Sequence, residues 1–235
     1  MTALQPVLSA TIDPARPSLT RPAGFALFAG AVGIVATSAL YGLSPPHAAM
    51  PMLPLDLEAA LAGAVRGRAT MHAAGLFGVP GDVVVSASGL LLGLLEAAKG
   101  RGFAAMGWFL IAVSTVLFAA VDTLVGFVLP ALAAAGAQQF LPAKILFDAL
   151  FLTGTATFGA GAVMALLPHV SGTGEIPRLL AVPALLTGLV ALGSGALGLL
   201  GVGVEPHVMG IGIAGGSVLF ALIGLSLVRG RTPRV

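Results

Sequence analysis

Residues Ala69–Leu95 read ATMHAAGLFGVPGDVVVSASGLLLGLL, an apolar run carrying only two ionisable side chains, His72 and Asp82. A helix needs about 20 mostly apolar residues to cross the hydrocarbon of a bilayer, and this run is long enough. It predicts a transmembrane helix with a carboxyl inside it. A charge at bilayer depth costs roughly 2.5–3.5 kcal/mol on insertion scales and marks a site by default. Asp82 is therefore the first residue to explain.

Five further runs have the same character: Ala23–Leu43, Phe103–Leu129, Ile145–Leu167, Leu179–Gly203 and Val208–Val228. The expected fold is an all-α, polytopic membrane protein, a six-transmembrane-helix bundle forming one membrane domain over residues 23–228. Composition agrees. Hydrophobic residues make up 57% of the chain and charged residues 9%, against roughly 25% charged in a soluble domain. Such a chain cannot cover itself with charge in water. The sequence pI of 9.7 rests on a net charge of +2. With its basic residues gathered at run ends, the chain offers no phosphate-binding face, so no nucleic-acid partner is expected. The absence of cysteine excludes disulfides, thiolate catalysis and Cys-ligated metals.

Arg16 and Arg21 precede the first run, as in a signal peptide. A cleavable apolar core is shorter, about 7–15 residues, so the run reads as an uncleaved first span. Residues 1–22 read as a disordered cytoplasmic tail and 229–235 as a basic cytoplasmic tail. With the N-terminus inside, the inner ends collect Arg16, Arg21, Lys99, Arg101, Arg178, Arg229, Arg231 and Arg234; the outer ends collect Arg66, Arg68 and Lys144. This excess predicts both termini cytoplasmic. Tyr41 and Trp108 fall near span ends, where interfacial anchors belong. The long outer loop, Ser44–Arg68, holds Pro45, Pro46, Pro51 and Pro54. Within it a short amphipathic helix is expected along the membrane surface, capped by Asp56, with Leu57, Leu61 and Val65 on one stripe.

Depth along each helix, at about 1.5 Å per residue, puts His72, Asp122, Lys144 and Asp148 in one outer layer and Asp82 deeper. Lys144 and Asp148 are four apart, on one helix face. These five are the candidate ligand- or ion-binding residues. The competing reading is structural: Lys144 snorkels, Asp148 pairs with it, and Asp122 pins a neighbouring helix. Pro80-Gly81 before Asp82 admits either a kink or a helix broken at mid-membrane, with Asp82 capping the inner half. His72 and His207, both near the outer face, raise a haem alternative, while His169 reads as interfacial. No serine elbow, phosphate loop or zinc motif occurs, so no catalytic residue, metal or cofactor is assigned. Gly89–Gly93 and Gly212–Gly216 are small-xxx-small pairs, suited to packing within the bundle or to a homo-oligomer seam.

Three short stretches resemble a family of bacterial six-span membrane proteins to which no activity is assigned. They are Ala74-Gly75-Leu76 through Asp82, Leu146-Phe147-Asp148 with Gly154, and Ile176-Pro177-Arg178-Leu179-Leu180. The resemblance covers most of the chain after Ala23. It implies six helices and a bacterial inner membrane, and carries over no catalytic role. The expected function is binding or transport of a small solute, proton or cation through an outward-facing polar pocket. The alternatives are a non-catalytic scaffold or accessory subunit and, third, a haem-binding or intramembrane enzyme.

Overall fold

A computed structural model describes residues 19–172 and 174–230; most of both expected tails, residues 1–18 and 231–235, lies outside the described residues. The described chain is helical and contains no strand. Six helices are long and apolar enough to span a bilayer: α1 (Thr20–Leu43), α4 (Arg68–Ala98), α5 (Gly102–Ala135), α6 (Ala137–Val170), α7 (Arg178–Leu199) and α8 (Pro206–Arg229). Two short helices, α2 (Pro46–Ala49) and α3 (Leu57–Arg66), fold over one end of the bundle.

Each long helix packs against its neighbours in sequence, and α8 returns to α1, closing a ring. Lipid tails are as apolar as leucine, so helices in a bilayer associate through close packing and polar contacts. Glycine supplies the close packing on every side of this ring. A β-carbon on Gly30 of α1 would sit 2.7 Å from the Gly81 carbonyl oxygen of α4, and one on Gly126 of α5 2.8 Å from Gly75 Cα. Gly107 and Gly161 join α5 to α6, Gly188 and Gly195 join α7 to α6, and Gly212 joins α8 to α7. The last seam is Gly224 of α8, whose β-carbon would lie 2.6 Å from the Gly24 carbonyl oxygen of α1. Gly89 and Gly93 lie against α5, and Gly212 and Gly216 against α7 and Phe158. The paired glycines of the sequence are thus engaged within the bundle. The outward surface is apolar, with Phe25, Leu76, Phe77, Leu94, Val113 and Leu186 among many exposed large hydrophobic side chains.

Several boundaries differ from the sequence reading, each for a local reason. Helix α6 begins at Ala137, a full two turns before Ile145. Gln138, Gln139, Pro142 and Lys144 lower the hydropathy of that stretch without preventing a helix. Helix α5 continues past Leu129 to Ala135 and stops at Gly136, whose φ of 116° favours glycine. Helix α7 stops at Leu199, before Gly201 at φ 79°. Two π-turns, Leu124–Val128 in α5 and Ile211–Gly215 in α8, were not foreseen.

Helix α4 runs unbroken through Pro80, which overturns the broken-helix alternative. Asp82 therefore caps nothing and projects from a continuous helix. Helix α3 forms as expected, with Asp56 Oδ1 accepting from the Ala59 amide at 2.9 Å. Its inward stripe is Leu57, Ala60, Leu61 and Ala64, while Val65 is exposed. Trp108 is 1% exposed, with its ring 5.8 Å from that of Phe220, so it is a core residue and no interfacial anchor. His169 is likewise buried, its Nδ1 accepting from the Ile176 amide at 3.3 Å.

Candidate functional site

The two ends of the ring are packed differently. At the end holding the first turn of α1 and the last turn of α8, the centre is filled. Trp108, Phe158 and Phe220 interlock there, with the Phe158 and Phe220 rings 5.4 Å apart. An ion-pair network lies outside them: Glu96 to Lys99 at 3.1 Å, Lys99 to Glu175 at 2.8 Å and Arg101 to Glu96 at 3.2 Å. Toward the other end the helices enclose a cavity of about 760 Å³. Its walls come from α1, α4, α5, α6 and α8, and its mouth carries Pro46, Met50, Pro206 and His207. Phe118 and Phe151 line it at mid-bundle, edge to face at 5.9 Å.

Three polar side chains from three helices meet in this cavity. Tyr41, in the last turn of α1, donates its hydroxyl to Asp122 Oδ1. Asp122 lies two residues before the π-turn of α5, and its other carboxyl oxygen rests on Gly78 of α4, where a β-carbon would collide with it. Asp82 lies one helical turn beyond Gly78, and the carboxyls of Asp82 and Asp122 face each other. Asp82 is 1% exposed and Asp122 4% exposed. Asp82 Oδ2 has no hydrogen-bond partner among the described residues. A buried acceptor left unpaired costs about 1–3 kcal/mol; a proton shared with the facing Asp122 carboxyl, or a bound donor, would satisfy this oxygen. Thr37 and Ser44 add hydroxyls to the wall but spend them on the Gly33, Ala74 and Leu40 carbonyls and on the Thr70 hydroxyl.

The other candidate residues are placed elsewhere. Lys144 and Asp148 form a buried ion pair at 2.6 Å, and Lys144 Nζ also donates to the Met50 carbonyl at 2.9 Å. Lys144 is 0% exposed, so it does not snorkel. The pair instead ties α6 to the segment that follows α2 at the cavity mouth. His72 lies on the exposed side of α4, its Nδ1 3.3 Å from the Gly126 carbonyl of the π-turn and its ring against Phe127. The outer layer of four groups is therefore divided. Asp122 joins Asp82 in the cavity, Lys144 and Asp148 pair with each other, and His72 contacts α5 outside it. His207 lines the mouth and His72 does not, so the two histidines share no common site.

Tyr41 was missed as a site residue because a tyrosine near a span end fits an interfacial belt equally well. Gly78, one turn before Asp82, was the available signal: a missing side chain next to an intramembrane acid leaves room for a second group.

These features define an integral membrane protein of six helices, closed by aromatics at one end and holding an acid pair in a cavity open toward the other. No family model, no curated protein and no solved structure matches the chain, so the bacterial six-span resemblance rests on its short motifs alone.

Proposed function

We propose that this protein binds a small solute, proton or cation in the cavity and moves it across a bacterial inner membrane, with Asp82 and Asp122 as the binding groups. One observation carries the reading: a buried carboxyl with an unpaired oxygen faces a second carboxyl in a cavity of about 760 Å³. Intramembrane acids are expensive and typically line pathways for protons and ions, and ligand cavities commonly span roughly 300–1,000 Å³. Both π-turns lie at the cavity end of the bundle, and such turns recur at functional sites. Asp148 and Lys144 serve the site indirectly by holding Met50 at the mouth, and His72 by holding the α5 π-turn. Lys99, Arg101, Arg178 and Arg229 gather at the aromatic-filled end, and this basic excess supports a cytoplasmic aromatic-filled end with the cavity opening outward.

A scaffold role is the second reading, favoured by the Tyr41–Asp122 bond, which ties α1 to α5 whether or not anything binds. Proteoliposomes separate the two. Proton flux is followed with an entrapped pH-sensitive dye under an imposed potential, for the wild-type protein and Asp82→Asn, alongside thermal unfolding of each. Loss of flux with stability retained supports transport. Loss of stability, with no flux in either protein, supports the scaffold.

A further inference from the structure

We infer that the cavity's ligand is an organic cation, an ammonium bearing bulky apolar substituents. This rests on the binding reading above and narrows it to a chemical class. The walls decide most of the matter. They include Ile34, Phe118, Val121, Phe151, Ile211 and Ile213, which offer a ligand body mainly apolar contact, with the hydroxyls of Thr37, Ser38 and Ser44 and the His207 ring as the minor polar part. A proton needs no such volume. A bare metal cation takes about six oxygen ligands at close range, and the pair with Tyr41 supplies too few. An anion meets two facing carboxyls, with no lysine or arginine on the wall. Lys144, the buried cation of this region, is held by Asp148 and the Met50 carbonyl. A neutral apolar molecule fills the space but offers the acid pair neither a donor nor a compensating charge.

An ammonium meets each of these conditions. Its N–H groups can donate to the acid pair, and its charge opposes theirs in a region of low dielectric. The edge-to-face rings of Phe118 and Phe151 can receive its substituents. Their π-faces add a further attraction for a cation.

The test uses three nearly isosteric probes: 3,3-diphenylpropylamine, 3,3-diphenylpropan-1-ol and 3,3-diphenylpropanoate. Binding to the purified full chain in detergent is measured by equilibrium dialysis, corrected with empty micelles. The amine is expected to bind at least tenfold more tightly than the alcohol, the carboxylate not detectably, and Asp82→Asn to lose that tenfold preference. Ser38→Trp keeps the acid pair but fills the cavity, and is expected to abolish amine binding. It keeps the test decisive if Asp82→Asn fails to fold. Equal binding of alcohol and amine overturns the cation assignment while leaving the cavity a solute site. Amine binding unchanged by Ser38→Trp overturns the assignment to this cavity. If no probe binds yet Asp82→Asn abolishes proton flux, the organic-cation inference falls and the transport reading stands. If no probe binds and flux is the same in both proteins, both fall.

Discussion

The carboxyl of Asp122 rests on the bare α-carbon of Gly78, so α4 accommodates an acid from α5 only because position 78 has no side chain. This contact fixes the relation between the two intramembrane acids, since Asp82 lies one turn further along the same helix. A β-carbon at position 78 would push the Asp122 carboxyl away from both Asp82 and Tyr41. Gly78→Ala is expected to destabilise the protein by about 1–3 kcal/mol, the usual range for overpacking. Trimming the colliding group should return part of that loss. Thermal unfolding of Gly78→Ala, Asp122→Ala and the double variant checks it: strictly additive losses would show that the two positions do not meet.

The Tyr41 hydroxyl is the donor to Asp122 Oδ1. Tyr41→Phe removes that donor while keeping the ring, and should cost about 1–3 kcal/mol because a buried acceptor loses its partner. In Asp122→Asn the side-chain carbonyl oxygen can still accept from Tyr41, so its loss of stability should be smaller. Flux should respond in the opposite sense. Asp122→Asn removes a carboxyl and is expected to impair proton flux more than Tyr41→Phe does. Equal stability losses in the two variants would mean that the bond contributes little.

Lys144 and Asp148 form a buried pair, and such pairs are costly to break yet often dispensable as a unit. Removing one member leaves a buried uncompensated charge, worth roughly 3–5 kcal/mol. Lys144→Met and Asp148→Leu are each expected to lower the unfolding temperature substantially. The double variant should recover most of the loss, short of the Lys144–Met50 contact. Recovery is the decisive observation. Its absence would assign the ion pair a role beyond mutual neutralisation.

The six spans and the Asp56 cap of α3 were legible because hydropathy and capping are local properties. The acid pair was only half legible. Depth along a helix follows from counting residues, and counting singled out Asp82 as the deepest of the five groups. Which way a side chain points depends on rotation about the helix axis, which packing sets. Counting alone therefore grouped Asp122 with Lys144, Asp148 and His72, whereas rotation sends Asp122 to Asp82 and His72 to the bundle's exterior. The π-turns were illegible because a helix with one inserted residue keeps its hydropathy. Trp108 misled for a related reason: the closed end of the ring is filled by aromatics, and an aromatic near a span end satisfies either reading.

The orientation of the bundle determines which side the cavity serves, and the chain's lack of cysteine makes it directly measurable. Glu58 is exposed on α3, at the cavity end, and Ala98 is exposed at the last residue of α4, at the aromatic-filled end. The basic residues favour the aromatic-filled end as cytoplasmic. A membrane-impermeant maleimide applied to intact spheroplasts should therefore label Glu58→Cys. It should reach Ala98→Cys only after the membrane is opened. The reverse pattern would turn the cavity toward the cytoplasm. The acid pair would then receive its ligand from inside the cell, and the transport reading would have to be recast as export.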